Sequence, residues 1–137
     1  MNMKPTELQI GDWVLKHAEG YAKVIGIEHM GTVDTSRGIT IDMYLKPVPL
    51  TPEILVLNGF EKVPTAPHSY FTSDLWDCDV IIDISKDTYE DTWHVHKFTD
   101  HNDNAIVCFS LCYVHELQHV LRLCGLHEWA DNFKLEK

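Results

Sequence analysis

The chain has 137 residues, a hydrophobic fraction of 45% and a net charge of −10. Its length fits one compact domain or a small module with an appendage, and its apolar content is enough for a core, which excludes a disordered chain. Arg37 and Arg122 are the two arginines. Because phosphate-binding surfaces need clustered Lys and Arg, we expect no direct nucleic-acid binding.

Nothing in the sequence points to a membrane or to secretion. No apolar run approaches the roughly 20 residues that cross a bilayer, and the N-terminus lacks the apolar core of a signal peptide. The cysteines form no C-x-x-C pair, so they are predicted to be buried thiols in a reducing compartment: Cys78, Cys108, Cys112 and Cys124. We therefore expect a cytoplasmic protein with no membrane partner.

The first half of the chain is predicted to be β-rich. Residues 8–48 contain three or four short strand patterns with tight turns, and Gly26 within the pattern 21–27 suggests a β-bulge or a close backbone approach. This density of short strands predicts a small SH3-like β-barrel. A short helix follows, because Thr51 can cap it, Pro52 suits its first position and Asn58-Gly59 can end it.

The second half is predicted to be an antiparallel β-meander closed by one helix. Strand patterns occur at 70–72, 80–84, 92–96 and 105–114, and a helix is expected from about Val114 to Cys124, ended by Gly125. In the tail, Trp129 and Phe133 are four residues apart and form a predicted docking stripe. The fold class is thus α+β, with 1–62 as the barrel plus a capping helix and 63–137 as the meander and C-terminal helix, or with both in one compact domain.

The most specific motif is H-E-L-Q-H at 115–119. On a helix, His115 and His119 share a face and can bind one zinc ion, while Glu116 can act as general base toward a metal-bound water. His115, Gln118, His119 and Arg122 are expected on the solvent side, opposite an apolar face that packs on the meander. A zinc-dependent hydrolase of the metallopeptidase kind is therefore one hypothesis, with zinc as its cofactor.

A catalytic zinc needs a third protein ligand, and the motif does not supply it. The metzincin continuation fails, because Arg122 and Gly125 occupy the positions of its glycine and its last histidine. The remaining candidates are Glu128 and the pair His94 and His96, which share one face of a predicted strand. A chain with nine histidines can also contain the pentapeptide by chance.

Three phrases in this order carry a wider resemblance: L-Q-I-G-D-W-V at 8–14, P-V-P-L-T-P-E-I-L-V-L-N-G-F-E-K at 47–62 and Y-V-H-E-L-Q-H-V-L-R-L-C-G at 113–125. The set is similar to a family of small uncharacterised proteins of gut Bacteroidetes-type bacteria and their phages and prophages. In that family the last phrase often reads Y-V-H-Q-L-Q-N, without the glutamate and the second histidine. The resemblance implies a phage or prophage context, a bacterial or phage-infected host cytoplasm, and no catalytic zinc.

We therefore expect a non-enzymatic protein-interaction module without a cofactor, a phage- or prophage-encoded accessory or host-interaction protein whose partner is a host or phage protein. Exposed aromatic residues of the barrel are its candidate contacts: Trp13, Tyr21 and Tyr44. The zinc hydrolase is the first alternative. The second is an acidic nucleic-acid mimic that inhibits a DNA-binding enzyme, and it requires Asp and Glu residues of 74–103 at phosphate-like spacing on one surface.

Overall fold

The computed structural model describes residues 3, 7–28, 32–64, 68–72, 80–87, 91–99 and 105–136. Its elements, in chain order, are β1 (Trp13–Lys16), β2 (Gly20–Ile27), β3 (Thr32–Thr35), β4 (Gly38–Ile41), a 3₁₀ turn (Asp42–Tyr44), β5 (Leu45–Pro47), α1 (Pro52–Leu57), β6 (Phe60–Lys62), β7 (Ser69–Thr72), β8 (Val80–Lys86), β9 (Trp93–Thr99), β10 (Ala105–Leu111), α2 (Val114–Leu123) and α3 (His127–Asp131). The fold is mixed α+β, with two antiparallel five-stranded sheets. The chain divides into two compact units, residues 1–49 with 113–133 and residues 50–112 with 134–137.

The first unit contains the sheet with strand order β4-β3-β2-β1-β5. Inward-facing side chains alternate along its strands and form a buried core with two residues from before β1: Met3, Leu8, Val14, Ala22, Val24, Val33 and Leu45. The pairing of β2 with β3 shifts register between Val24 and Gly26, which confirms the bulge predicted at this glycine. Among the described residues neither sheet closes into a barrel, so the SH3-like barrel stays a prediction.

The first unit also contains the C-terminal helices. α2 spans ten residues and is followed by Gly125 at φ 83°, so the predicted helix and its glycine stop are confirmed. Phe133, which follows α3, is buried. Helix α2 therefore lies in the same compact unit as β1–β5, although about 65 residues of chain separate β5 from α2.

The second unit is an antiparallel meander with strand order β10-β9-β8-β7-β6. The four predicted strand patterns correspond to β7–β10, whereas β6 (Phe60–Lys62) was not predicted. Helix α1 begins and ends as its sequence indicated: Thr51 Oγ1 accepts a hydrogen bond from Ile54 N–H at 3.3 Å, and Asn58 is the C-cap. Trp93 is a fully buried side chain of this unit, and its indole N–H donates to the Leu50 carbonyl at 3.3 Å. No helix within the described part of the chain is long and apolar enough to span a membrane.

Candidate functional site

The first turn of α2 uses the glutamate of the H-E-L-Q-H motif as a cap. Tyr113 is the N-cap residue, and its backbone N–H donates to Glu116 Oε1 at 3.1 Å. A carboxylate in this position satisfies one of the free N–H groups at the helix start and lies near the positive end of the helix dipole. The side chain that the zinc hypothesis casts as general base therefore has a structural contact at the helix terminus.

The polar side chains of this helix are largely buried, so the expectation of a solvent-exposed polar face is wrong. His115 is 6% exposed and Gln118 is fully buried. The cause is the segment 9–13, which packs against the polar side of α2 within the first unit. No local pattern indicates this contact, because Asp12 and His119 are 107 positions apart in the chain.

Asp12 is the centre of the contact between these segments. It is fully buried; Oδ2 lies 2.6 Å from His119 Nε2, and Oδ1 accepts from Arg122 Nη1 at 2.7 Å. Oδ2 also accepts from the backbone N–H of Gln9 at 2.8 Å, and the Gln9 side-chain oxygen accepts from Arg122 at 3.0 Å. A buried carboxylate needs such partners, because desolvation penalises an unpaired charge.

Gln118 makes the second set of contacts on this face. Its side-chain oxygen accepts from Trp13 N–H at 2.9 Å, and its amide nitrogen donates to the carbonyls of Gly11 at 2.8 Å and Ala130 at 3.0 Å. One side chain thus satisfies three backbone groups, on the turn before β1, on β1 and on α3. We call Gln9, Asp12, Gln118, His119 and Arg122 the polar cluster.

Gly11 explains why the G-D-W-V phrase begins with glycine. Its φ is 96°, a conformation that L side chains rarely adopt. A Cβ here would lie 2.9 Å from Arg122 Nη2 and 3.1 Å from Asp131 Oδ1. The glycine therefore allows the backbone to approach Arg122 while Asp12 turns inward.

His115, the first histidine of the H-E-L-Q-H motif, has one ring nitrogen without a hydrogen-bond partner. Its Nδ1 is buried and has no hydrogen-bond partner, and its ring lies 5.5 Å from that of His119, edge to face. Burial lowers the pKa of His115 below its ordinary value of 6.5; Asp12, Glu116 and Glu7 oppose this shift, and His119 adds to it. The neutral imidazole is therefore the form that the folded protein favours.

This burial predicts a pH dependence of stability. The unfolded chain takes up a proton at His115 near pH 6.5, and the folded chain does so at a lower pH, so the unfolded state binds more protons in between. Stability is fully present above pH 6.5 and is lost as the pH falls through that value toward the lowered folded pKa. We expect urea unfolding at pH 7.5, 6.5 and 5.5 to show this loss in the wild type and a smaller one in His115→Gln. Equal pH dependence of the two proteins would contradict the prediction.

The candidate third ligands of the zinc hypothesis lie on other elements. Glu128 is exposed on α3. His94 and His96 lie on β9 in the second unit, where His94 Nδ1 is 3.2 Å from Ser110 Oγ and Nε2 is 3.7 Å from Asp87 Oδ2. Within the described residues, no group of three or more His, Cys, Asp or Glu side chains is arranged to hold a metal ion. The donor set of a catalytic zinc is thus not assembled by these residues.

His96 faces Asp83 across β8 and β9. Burial raises the pKa of Asp83 above its ordinary value of 3.8, and His96 partly offsets the shift. Asp83 Oδ1 is buried without a hydrogen-bond partner. Sequence inspection did not single out this carboxyl, because its burial depends on the meander and not on a local pattern.

The three candidate contact aromatics have different surroundings in the first unit. The indole N–H of Trp13 donates to the Phe133 carbonyl at 2.6 Å, and Lys23 Nζ lies 5.6 Å from the indole centroid. Tyr21 is half-buried. Tyr44 is exposed, with its ring 6.1 Å from that of His17. Of the three, Tyr44 is thus the aromatic side chain most available to a partner.

Tyr44 is part of a larger exposed apolar stretch, which the sequence analysis missed. The four side chains are exposed to 63%, 40%, 53% and 47%, in the order Ile39, Ile41, Met43 and Tyr44. We call these four residues the edge surface, because Ile39 and Ile41 lie on β4, an edge strand of the first sheet. The alternation of Ile39 and Ile41 around Thr40 was the available signal, and it predicts a strand without showing which of its faces is exposed.

The acidic stretch 74–103 of the nucleic-acid-mimic hypothesis falls partly outside the described residues, since 73–79, 88–90 and 100–104 are not described. Comparisons with protein-family models, with curated proteins and with solved structures find no match to this chain.

Proposed function

We propose that this chain is a non-enzymatic protein-interaction module that binds its partner through the edge surface. The observation that carries the proposal is the exposure of four large apolar side chains within six consecutive residues. Contiguous exposed apolar side chains mark interaction sites, whereas isolated ones are normal on any protein surface. Aromatic side chains and methionine are also enriched in protein interfaces.

The polar residues of α2, which in the sequence suggest a catalytic site, also support this proposal. Glu116 caps α2, and Gln118, His119 and Arg122 bind the segment 9–13. These contacts give the motif a structural role in holding α2 to the strands of the first unit.

The family resemblance supplies the proposed setting, a phage- or prophage-encoded accessory protein that acts on a host or phage protein in a bacterial cytoplasm. For the fold of the first unit, we propose the SH3-like kind of small barrel. The bulged β2 pairs with both β1 and β3, and β5 returns to pair with β1. These are features of short strands that curve around one core.

The proposed function is tested by affinity capture from a bacterial host lysate with three tagged proteins. Met43→Lys places a charge in the edge surface, and Leu123→Lys is the matched control, because Leu123 is 74% exposed but lies on α2. We expect a partner that is enriched with the wild type and with Leu123→Lys and reduced at least about tenfold with Met43→Lys. Equal recovery with all three proteins, or no enriched protein at all, would count against the edge surface as a binding site.

The zinc hydrolase stays a hypothesis with its own measurement. Metal content of protein purified without chelator or nickel resin would favour it if it gave about one zinc per chain, lost in His115→Ala. The absence of stoichiometric zinc would leave the interaction module as the better supported function.

A further inference from the structure

The two edges of the first sheet are protected to different degrees. On one edge, β5 carries Lys46 and Pro47, residue types that discourage the addition of another strand. On the other edge, β4 has the sequence Gly-Ile-Thr-Ile, and among the described residues it pairs with β3 alone. An apolar edge strand without charge, proline or bulge is a template for a further strand.

The sequence of β4 is complementary to itself in one antiparallel register. If Thr40 lies on a two-fold axis, Ile39 of one chain faces Ile41 of the second copy, and the reverse pair forms by symmetry. Ile39 and Ile41 are both exposed on the outer face, whereas Thr40 points inward and is nearly buried. This register therefore brings four isoleucine side chains together, as two facing pairs, on one face of the joined sheets.

We propose that the edge surface binds a second copy of this chain, through antiparallel pairing of β4 with β4 about Thr40. This inference rests on the proposed function, since it names the occupant of the same surface. A four-residue edge with Met43 and Tyr44 beside it is a small interface, so the dimer belongs to the weak class with a dissociation constant on the order of micromolar.

Sedimentation velocity of the full chain over about 1–500 μM tests the proposal. The buffer contains about 0.15 M salt, because screening beyond roughly 8 Å reduces the long-range repulsion of two chains with net charge −10 each. We expect the mass to rise from 15.8 kDa toward twice that value. Ile39→Lys should weaken the association at least about tenfold, since it places a charge in each copy of the paired edge, and Leu123→Lys should leave it unchanged.

A cysteine at the two-fold axis tests the register. Antiparallel pairing brings the two Thr40 Cα atoms to about 4.5–5.5 Å, within the range of a disulfide. Thr40→Cys should therefore form a cross-linked dimer under mild oxidation, and the same variant carrying Ile39→Lys should form much less. Wild-type protein under the same conditions reports any cross-linking through the native cysteines.

The outcomes separate the inference from the proposed function. A chain that stays monomeric to the highest concentration, or a dimer that resists Ile39→Lys and does not cross-link through Thr40→Cys, overturns the inference. If that monomer still loses a captured partner on Met43→Lys, the interaction module stands and its occupant is a different protein. If the chain neither dimerises nor captures a partner in a Met43-dependent way, both proposals fail.

Discussion

Asp12→Ala is expected to lower the free energy of unfolding by about 3 kcal/mol or more, because it removes the buried partner of two cationic or hydrogen-bonding groups. Asp12 is fully buried, and its carboxylate contacts Arg122 at 2.7 Å and His119 at 2.6 Å. Without it, the Arg122 guanidinium, which is only 11% exposed, keeps its charge in a largely desolvated position. The exposed Asp131 carboxylate at 3.5 Å is then its remaining ion partner among the described residues. Most of the expected loss comes from this poorly compensated charge and less from the attraction itself.

Chemical denaturation at neutral pH with two variants measures this effect. Asp131→Ala is the matched control, because Asp131 also contacts Arg122, at 3.5 Å, but its side chain is 59% exposed. A surface ion pair of this kind contributes about 0–1 kcal/mol. Asp12→Ala and Asp131→Ala with equal unfolding free energies would contradict the view that the polar cluster stabilises the first unit.

The elements with local signals could be predicted from the sequence. Thr51, Pro52 and Asn58 set the limits of α1 through short-range capping contacts, and Gly125 ends α2. Gly26 indicated the bulge in β2. The alternating patterns of the second half predicted an antiparallel meander. In each case the determining interaction joins residues a few positions apart, or follows from a strand periodicity of two.

The surroundings of α2 could not be predicted in the same way. The H-E-L-Q-H spacing correctly predicts a helix with both histidines on one side, and local sequence contains nothing more. What lies against that side is the segment 9–13, and no periodicity links residues 107 positions apart, such as Asp12 and His119. The polar residues were therefore assigned to solvent, although three of them bind a buried carboxylate or backbone groups.

The exposure of the edge surface could not be predicted from the sequence either. The sequence does not distinguish an exposed isoleucine from a buried one. The strand pattern of 39–45 is equally consistent with either face of the strand packing against the core. Its exposure depends on which strand neighbours it, and β4 is exposed because it lies at the end of the order β4-β3-β2-β1-β5. Strand order depends on contacts between residues far apart in the chain. The prediction from the sequence therefore named aromatic residues as the candidate contacts, and it did not include the isoleucines of β4.

Gln118→Ala is expected to lower the free energy of unfolding by about 2–3 kcal/mol, since an unsatisfied buried group costs about 1–3 kcal/mol and such costs are less than additive together. The variant removes the side-chain partner of the backbone N–H of Trp13 and of the carbonyls of Gly11 and Ala130. The Ala130 carbonyl keeps the Phe133 N–H as a donor at 3.4 Å, so most of the loss comes from the other two groups. Gln118 is fully buried, so water cannot replace the amide without a rearrangement of α2 against β1 and α3.

Gln118→Glu distinguishes the hydrogen bonds from side-chain packing, because it keeps nearly the same shape. A glutamate oxygen would replace the amide nitrogen that donates at 2.8 Å and 3.0 Å to two carbonyls. An ionised carboxylate there faces two acceptors in a buried site, whereas a protonated one can still donate to one of them. The folded-state pKa of the new carboxyl is then raised above its unfolded value, so the loss of unfolding free energy grows as the pH rises from about 4.3 toward neutrality.

We expect Gln118→Glu to be closer to the wild type in unfolding free energy at pH 5 than at pH 7.5, and Gln118→Ala to show no such additional pH dependence. If the difference between Gln118→Glu and the wild type is the same at both pH values, Gln118 does not donate to these carbonyls in solution and acts through its volume alone.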